Sequence, residues 1–475
     1  MTHRFPFATL TLALSLCASA WGESSPGPQK NRPIANVPGA AQVQPQIAAT
    51  ADGHWWISWF GLLPQGATSP GYDVFVQRLG PDGKEQYPHQ GLRVADLGVG
   101  WTEDYGLASD AQGNALLTFQ DDRSNPATRA IAATKVDAAG KPLWQTLTAP
   151  AGHAPHVTVL ADGHSIVGWS TDNENSVRLR KLDPQGQPVW KSSSGVALDF
   201  VLVEPNYSYS LADLKANSDG SVIVSFIRSR GFSGDKHLYA NKISPSGQLL
   251  WGPSHVKVFD AGSLQQGNFP RFVLDGQGGA VFAWYSVNPN LQVHAQHIQA
   301  NGSPVFAPNG VAVSTNVQQA RTSPSLSYQP STGETTLFWT ELDNAVEQNR
   351  RGLYAQKLDA RGARLWGEAG RTIQPLALQG ITSVRSVAVN DGTLAFWVQS
   401  ATGQHDSIQA IKLDAAGNAL CPQFAVSTRP SAKSRLVSGT SAAGNTLVAW
   451  EDQSQQQGSD IYLQSVSADC KLGTH

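Results

Sequence analysis

The sequence predicts an all-β fold: an eight-bladed β-propeller of four-stranded antiparallel blades, its ring closed by an N-terminal strand that completes the C-terminal blade. Two repeating signals and one feature of composition predict it. The first signal reads KVDAAGKPLW ending at Trp144, KLDPQGQPVW at Trp190, KISPSGQLLW at Trp251 and KLDARGARLW at Trp366. Weaker copies end at Tyr87, Phe306 and Cys421, and an eighth, SVSADCKLG, puts Cys470 where the others have their turn glycine. From Gly83 to Cys470 the copies span 387 residues in seven intervals, a mean of about 55, the length of one propeller blade. The second signal is a turn glycine followed six residues on by an aromatic: Gly53/Trp59, Gly113/Phe119, Gly163/Trp169, Gly220/Phe226, Gly278/Trp284, Gly333/Trp339 and Gly444/Trp450, with Gly392/Trp397 one residue shorter. Composition agrees. The 475 residues include 45 Gly and 14 Trp but one Met, and only 15% are charged, against roughly 25% in ordinary soluble domains.

The elements follow in chain order. Met1-Thr2-His3-Arg4, the apolar run Phe5–Leu16 and the small-x-small Ala18-Ser19-Ala20 predict a signal peptide over 1–20 and hence an exported, periplasmic or secreted protein. Cys17 would be a lipid anchor only in another context, because the residue before a lipidated cysteine is normally small and here it is Leu16. The apolar run is too short to span a bilayer, and no transmembrane segment is expected in the mature chain. Residues 21–32 have the Pro/Gly/Ser character of a flexible linker, and 33–475 form the propeller. Within a unit, an inner strand such as Pro155–Val159 turns at Asp162-Gly163 into the aromatic-ended strand. A variable loop then leads to a third strand and an Asp-x-x-Gly turn to a fourth. The aromatic should fill the wedge between neighbouring sheets. The last unit ends after its third strand, so Pro33–Val37 is expected to supply the missing fourth and remove the open edges. Cys421 and Cys470 remain after cleavage, and in an oxidising compartment such a pair predicts a disulfide.

The Gly-x-x-x-Trp ending after an acidic turn resembles the tryptophan-docking motif of eight-bladed quinoprotein propellers, which include alcohol dehydrogenases using pyrroloquinoline quinone. The resemblance covers nearly the whole mature chain at the level of the repeat and implies eight blades. Here Asp137 precedes Gly140 by three positions where that family usually has four, and Cys421 and Cys470 lie far apart where many such dehydrogenases carry adjacent cysteines. None of the family's quinone or calcium ligands maps onto a residue of this chain. No cofactor is therefore expected, with the quinone and calcium kept as an alternative.

Function is placed by the faces of the ring. One face carries only tight Asp/Gly turns. The other carries the long connections 60–71, 96–105, 120–129, 199–211, 227–237, 259–269 and 340–352, and variable loops on a rigid scaffold are where binding residues concentrate. Seven residues before each turn glycine, the inner strands present Gln46, Gly106, His156, Asp213, Arg271 and Arg385 to the axis, with Ser325 and Val437 after a shift. Arg271 and Arg385 suit an anion or sugar, with Asp213 and His156 orienting it; mutual pairing of these charges in a watery funnel is the competing expectation. Trp101, Glu103, Asp104 and Tyr105, with Glu204, Asn206, Tyr207 and Tyr209 in a later loop, suit carbohydrate stacking or plain loop packing. His153/His156 and His294/His297 lack metal-ligand geometry, so no metal is expected. Asp121-Asp122, Glu341 and Glu451-Asp452 are expected to be solvated loop starts, and no catalytic set is assigned. A formal charge of −2 provides no basic footprint for nucleic acid. These readings predict a non-catalytic binding or scaffold module that meets a protein or glycan through the long-loop face. A quinoprotein-like oxidoreductase and a carbohydrate-active hydrolase or lyase are the alternatives.

Overall fold

Eight stacked wedges need eight buried seams, and the repeat supplies two sets of residues to build them. The structure, a computed structural model, describes residues 27–62, 71–99, 102–121, 129–191, 199–288, 290–401, 403–453 and 458–473. The expected signal peptide, Cys17 and linker residues 21–26 lie outside them.

Blade 1 consists of strands Ala41–Ala49, Trp55–Leu62, Tyr72–Leu79 and Leu92–Val99, hydrogen-bonded in that order, and the later blades repeat the pattern. The inner strands of blades 2, 3, 4 and 6 are Gly106–Ser109, His153–Val159, Ser208–Ala216 and Ala320–Gln329. In blade 5 the inner position is filled by two short pieces, Ser263–Leu264 and Phe272–Leu274, which both pair with Ala280–Asn288. Blades 7 and 8 share one continuous strand, Ala419–Thr440, which is the outer strand of one and the inner strand of the next. The predicted closure is present. Arg32–Ala35 pairs antiparallel with Asp460–Val466, Arg32 facing Leu463 and Ala35 facing Ile461. The ring begins slightly before Pro33: Asn31 is buried, and its side-chain amide donates to Val426 O and Gln464 Oε1. No helix occurs among the described residues.

The buried apolar side chains form eight clusters, one per seam among the described residues. The seam that joins the two ends of the chain packs Ile34, Trp55, Ile57 and Trp59 against Leu447, Ala449 and Leu463. All eight predicted wedge aromatics, from Trp59 and Phe119 to Trp397 and Trp450, are fully buried. A large flat ring fills a tapering gap with two torsions to order, and truncating one to Ala typically costs about 3–5 kcal/mol.

The other aromatic, four residues after the turn glycine, makes a girdle nearer the rim. Trp144 Nε1 donates to Pro184 O at 2.9 Å, Trp251 Nε1 to Ala300 O at 2.9 Å and Tyr87 Oη to Ala138 O at 3.0 Å. In each case the acceptor lies two residues before the next blade's turn glycine, and the ring covers that glycine. A Cβ on Gly186 (φ +80°) would stand 2.6 Å from Trp144 Cδ2, so both the left-handed backbone and the close approach require glycine there. The motif's lysine grips the same turn: Lys357 Nζ and Trp366 Nε1 both donate to Ala415 O.

Two seams depart from this pattern. Between blades 7 and 8 the aromatic position holds Cys421 and the glycine position Cys470 (φ +61°), and the two are joined in the predicted disulfide. A covalent bond thus stands where other seams have ring on glycine. Between blades 8 and 1, Arg32 Nη1 donates to Gly83 O at 3.2 Å and its Nη2 pairs with Glu85 at 3.3 Å.

Candidate ligand site at the axis

The inner strands reach the axis through a repeated bulge. Pairing jumps between Val43 and Gln46, His153 and His156, Thr322 and Ser325, Thr382 and Arg385, and Ser434 and Val437. Inside these gaps Gln44, Ala154, Ser323, Ser383 and Arg435 adopt φ between +47° and +56°. A bulge adds a residue and re-aims the next side chain. The first paired residue after it faces the one before the wedge aromatic: Gln46 opposite Ser58, His156 opposite Gly168, Ser325 opposite Phe338, Arg385 opposite Phe396 and Val437 opposite Ala449. Asp213 opposite Ser225 and Gly106 opposite Thr118 take the same register, and Arg271 directly precedes Phe272, whose pairing with Phe282 begins the second inner piece of blade 5. The eight predicted axial positions are therefore equivalent, including the two that needed a shift.

The anionic side of the axis is already occupied by the protein's own groups. Asp213 is 4% exposed; it accepts from Leu214 N at 2.9 Å and Phe272 N at 3.1 Å and pairs with Lys215 Nζ at 3.3 Å. His156 Nδ1 stands 3.8 Å away, outside direct hydrogen-bond range. Burial alone would raise the Asp213 pKa, but Lys215, His156 and Arg271 outweigh it and hold the carboxyl well below the usual carboxylate range. The cationic side differs. Arg271 and Arg385 are both water-accessible, and the hydrogen bond of Arg385 is to the carbonyl of its neighbour Val384, at 2.8 Å. Desolvation in the surrounding ring and the like charge of Arg271 push Arg385 down to about 10, so it is still a cation at neutral pH.

Both arginines line a cavity of about 490 Å³ on the long-loop side, between blades 5 and 6, within the size range of small-ligand sites. The long 259–269 connection contributes Gln265, Asn268 and Phe269, and Tyr285 closes one side. Phe269 is 43% exposed, and Asn268 Nδ2 is buried without a partner. Loop length alone marked this segment in the sequence, and nothing there distinguished Asn268 or Phe269 from their neighbours. The arrangement can supply cationic and amide donors to an anion beside an aromatic face.

The second candidate cluster does not assemble into one site. Trp101 lies outside the described residues. Glu103 accepts from Ala154 N in the blade 3 bulge at 3.3 Å, and burial pushes its carboxyl up; Asp104 is exposed. Tyr105 is buried, bonded to Ser58 Oγ and Gln44 O. Tyr207 stacks under the guanidinium of Arg228, 3.4 Å from the ring centroid, and Arg228 also pairs with Glu204 at 2.8 Å. This is loop packing within blade 4. The pairs His153/His156 and His294/His297 serve different neighbours: His153 pairs with Asp172, His297 with Asp275, and His294 stacks on Trp284. The acids after the wedge aromatic correct an expectation. Asp121, Glu341, Glu451 and Asp452 are buried, not solvated; Asp122 lies outside the described residues. Glu341 and Asp452 accept the indole N–H of Trp339 and Trp450, because a buried indole proton needs an acceptor at that end of the strand.

No protein-family model matches the chain, and no curated protein sequence is similar to it. Solved structures are similar in shape. The Dos1 propeller superposes with a TM-score of 0.50 at 11% identity, covering 92% of this chain and 94% of that one. A polysaccharide lyase, Uly1, gives 0.45 at 11%, covering 95% and 94%. Prolyl endopeptidases give 0.45 at 12%, covering 88% of this chain and 55% of theirs. At such identities the likeness is one of fold, the β-propeller, and carries nothing about activity.

Proposed function

We propose that this chain is an exported, non-catalytic binding propeller whose axial cavity takes the acidic group of a glycan, a uronate carboxylate or a sulfate ester. One observation carries the reading: Arg271 and Arg385 face a single water-accessible cavity, and Arg385 is crowded by a like charge. The like charges of the two guanidiniums repel, and an anion between them relieves the repulsion while matching their fork geometry. Asp213 is engaged by Lys215 and backbone N–H groups, and Arg271 acts on it through its charge, while both guanidiniums line the cavity. Export is supported by the predicted leader over 1–20 and agrees with the disulfide.

Isothermal titration with uronate-bearing and sulfated oligosaccharides, against neutral ones of equal length, tests this. Binding of the acidic series that weakens with salt, and falls about tenfold or more in Arg385→Ala and Arg271→Ala, supports the proposal. Equal affinity for neutral and acidic sugars, or full affinity in both variants, overturns it. Release of an unsaturated, ultraviolet-absorbing product would replace the binding reading with the lyase alternative.

A further inference from the structure

In three blades the inner strand is tied to an oxygen of an earlier part of the ring through one backbone N–H, that of the residue two before the axial position. In blade 1 Gln44 N donates to Glu451 Oε1 at 2.7 Å, Glu451 being the residue directly after the wedge aromatic Trp450 of blade 8. In blade 4 Leu211 N donates to Ser170 Oγ at 2.9 Å, Ser170 being the residue directly after Trp169 of blade 3. In blade 3 the corresponding N–H, that of Ala154, ends on a carboxylate again, Glu103 Oε2 at 3.3 Å, supplied by the connection into blade 2. Pro45 and Pro155 follow Gln44 and Ala154 and have no N–H of their own, so the bulge offers its donor at that one place. The protein thus uses this bulge twice to receive a carboxylate.

Blade 6 repeats the backbone with a different neighbour. Ser323 lies in the same gap of the ladder at φ +53°, before Pro324 and two before the axial Ser325. The residue directly after the wedge aromatic of blade 5 is Tyr285, which is neutral and whose Oη donates to Gln265 Oε1 at 2.5 Å. Among the described residues no side chain accepts from the Ser323 N–H. Ser323 is exposed, and of the left-handed bulge residues it alone lines the cavity that holds Arg271 and Arg385; Tyr285 lines the same cavity. The second oxygen of Glu451 accepts from Ser434 Oγ at 2.8 Å, three residues before the axial Val437. The residue three before Arg271 is Asn268, which is also in the cavity wall.

We infer that the Ser323 N–H is the third donor of the axial site and that the ligand's acidic group is a carboxylate, the uronate of a glycan rather than a sulfate ester; this rests on the axial reading proposed above. The ligand's carboxylate lies against blade 6 as that of Glu451 lies against blade 1, with one oxygen on the bulge N–H, while Arg271 and Arg385 supply the opposite charge. Hydrogen bonds from a backbone N–H to an ionised oxygen are short and about twice as strong as neutral ones. Two guanidiniums bind either anion, and the bulge separates them by shape. A carboxylate has two coplanar oxygens, and Glu451 shows that this group fits between the N–H of one blade and a side chain of the blade before it. The oxygens of a sulfate ester spread tetrahedrally about sulfur and do not copy that arrangement.

The test titrates the full chain with oligogalacturonate, with its methyl ester and with a sulfated neutral oligosaccharide of equal length, and follows the backbone amide resonances of labelled protein. Oligogalacturonate should bind about tenfold or more tighter than the other two. In that complex the Ser323 amide proton should move downfield, while that of Gln44, already on Glu451, stays in place. Tyr285→Glu puts a carboxylate where blade 8 has Glu451; it should move the Ser323 resonance downfield without ligand and weaken uronate binding about tenfold or more. Equal affinity for the sulfated and uronate ligands, or an unmoved Ser323 amide in the uronate complex, overturns the inference and leaves the axial anion site standing. Absence of binding by both acidic ligands, or full affinity in Arg385→Ala, overturns the axial reading and this inference with it. If Tyr285→Glu does not fold, the ligand series and the two amide resonances of the parent chain decide the matter.

Discussion

Breaking the Cys421–Cys470 bridge tests whether the seams are interchangeable. The two cysteines are 49 residues apart, and closing a loop of that length stabilises by about 4 kcal/mol through the entropy of the unfolded chain. With an unfolding entropy of about 2.1 cal/mol/K per residue over the roughly 420 described residues, that loss lowers the melting temperature by about 5 °C, provided the ring melts as a unit. Lys412 Nζ still donates to Ala468 O at 2.7 Å across this seam, so the seam should loosen without detaching. Scanning calorimetry of the oxidised protein, the reduced protein and Cys421→Ala/Cys470→Ala should give one shift common to the last two. The informative variant is Cys421→Trp/Cys470→Gly, which installs the ring-on-glycine contact of the other seams. Glycine also removes the penalty of about 1 kcal/mol for a side chain in the left-handed conformation, which Cys470 adopts at φ +61°. That variant should regain about half of the lost stability. Identical melting of oxidised and reduced protein, or no gain over the alanine pair, would refute the equivalence of bridge and girdle.

Three further outcomes follow from the same contacts. Deleting 33–37 removes the strand that pairs with Asp460–Val466 and should abolish a single cooperative melt; a purified deletion with the parent melting temperature would contradict closure. Gly186→Ala adds the indole clash to the left-handed backbone penalty, whereas Gly39→Ala at φ +73° has nothing within 4 Å. The first should therefore destabilise by about 1–2 kcal/mol more, as chemical denaturation would measure, and equal losses would mean that Trp144 is not docked. Asp213, whose carboxyl is held below its ordinary 3.8, contributes stability that is fully present above that pH and is lost as pH falls toward the folded value. Asp213→Asn should thus be less stable than the parent by about 2 kcal/mol at pH 6, with the gap closing progressively below pH 3.8; a gap independent of pH would show that the charge is not what holds Phe272 and Lys215 in place.

The fold was legible because its determinants are local and periodic. A turn glycine and an aromatic six residues on specify a hairpin and the ring that fills its wedge, so Gly163 and Trp169 announce a blade without reference to the rest of the chain. The disulfide was legible on another ground, since Cys421 and Cys470 are the two cysteines left after the expected leader in an oxidising compartment, and their seat at two positions of the repeat shows where the bridge acts. The axial register was half legible: counting back from the glycine located His156, Asp213 and Arg385, but the bulges that re-aim them depend on left-handed residues such as Ala154 and Ser383, which carry no sequence signature. The acids were misjudged because charge favours solvent until a buried donor needs an acceptor, and only the structure shows that Glu341 and Asp452 sit under indole protons.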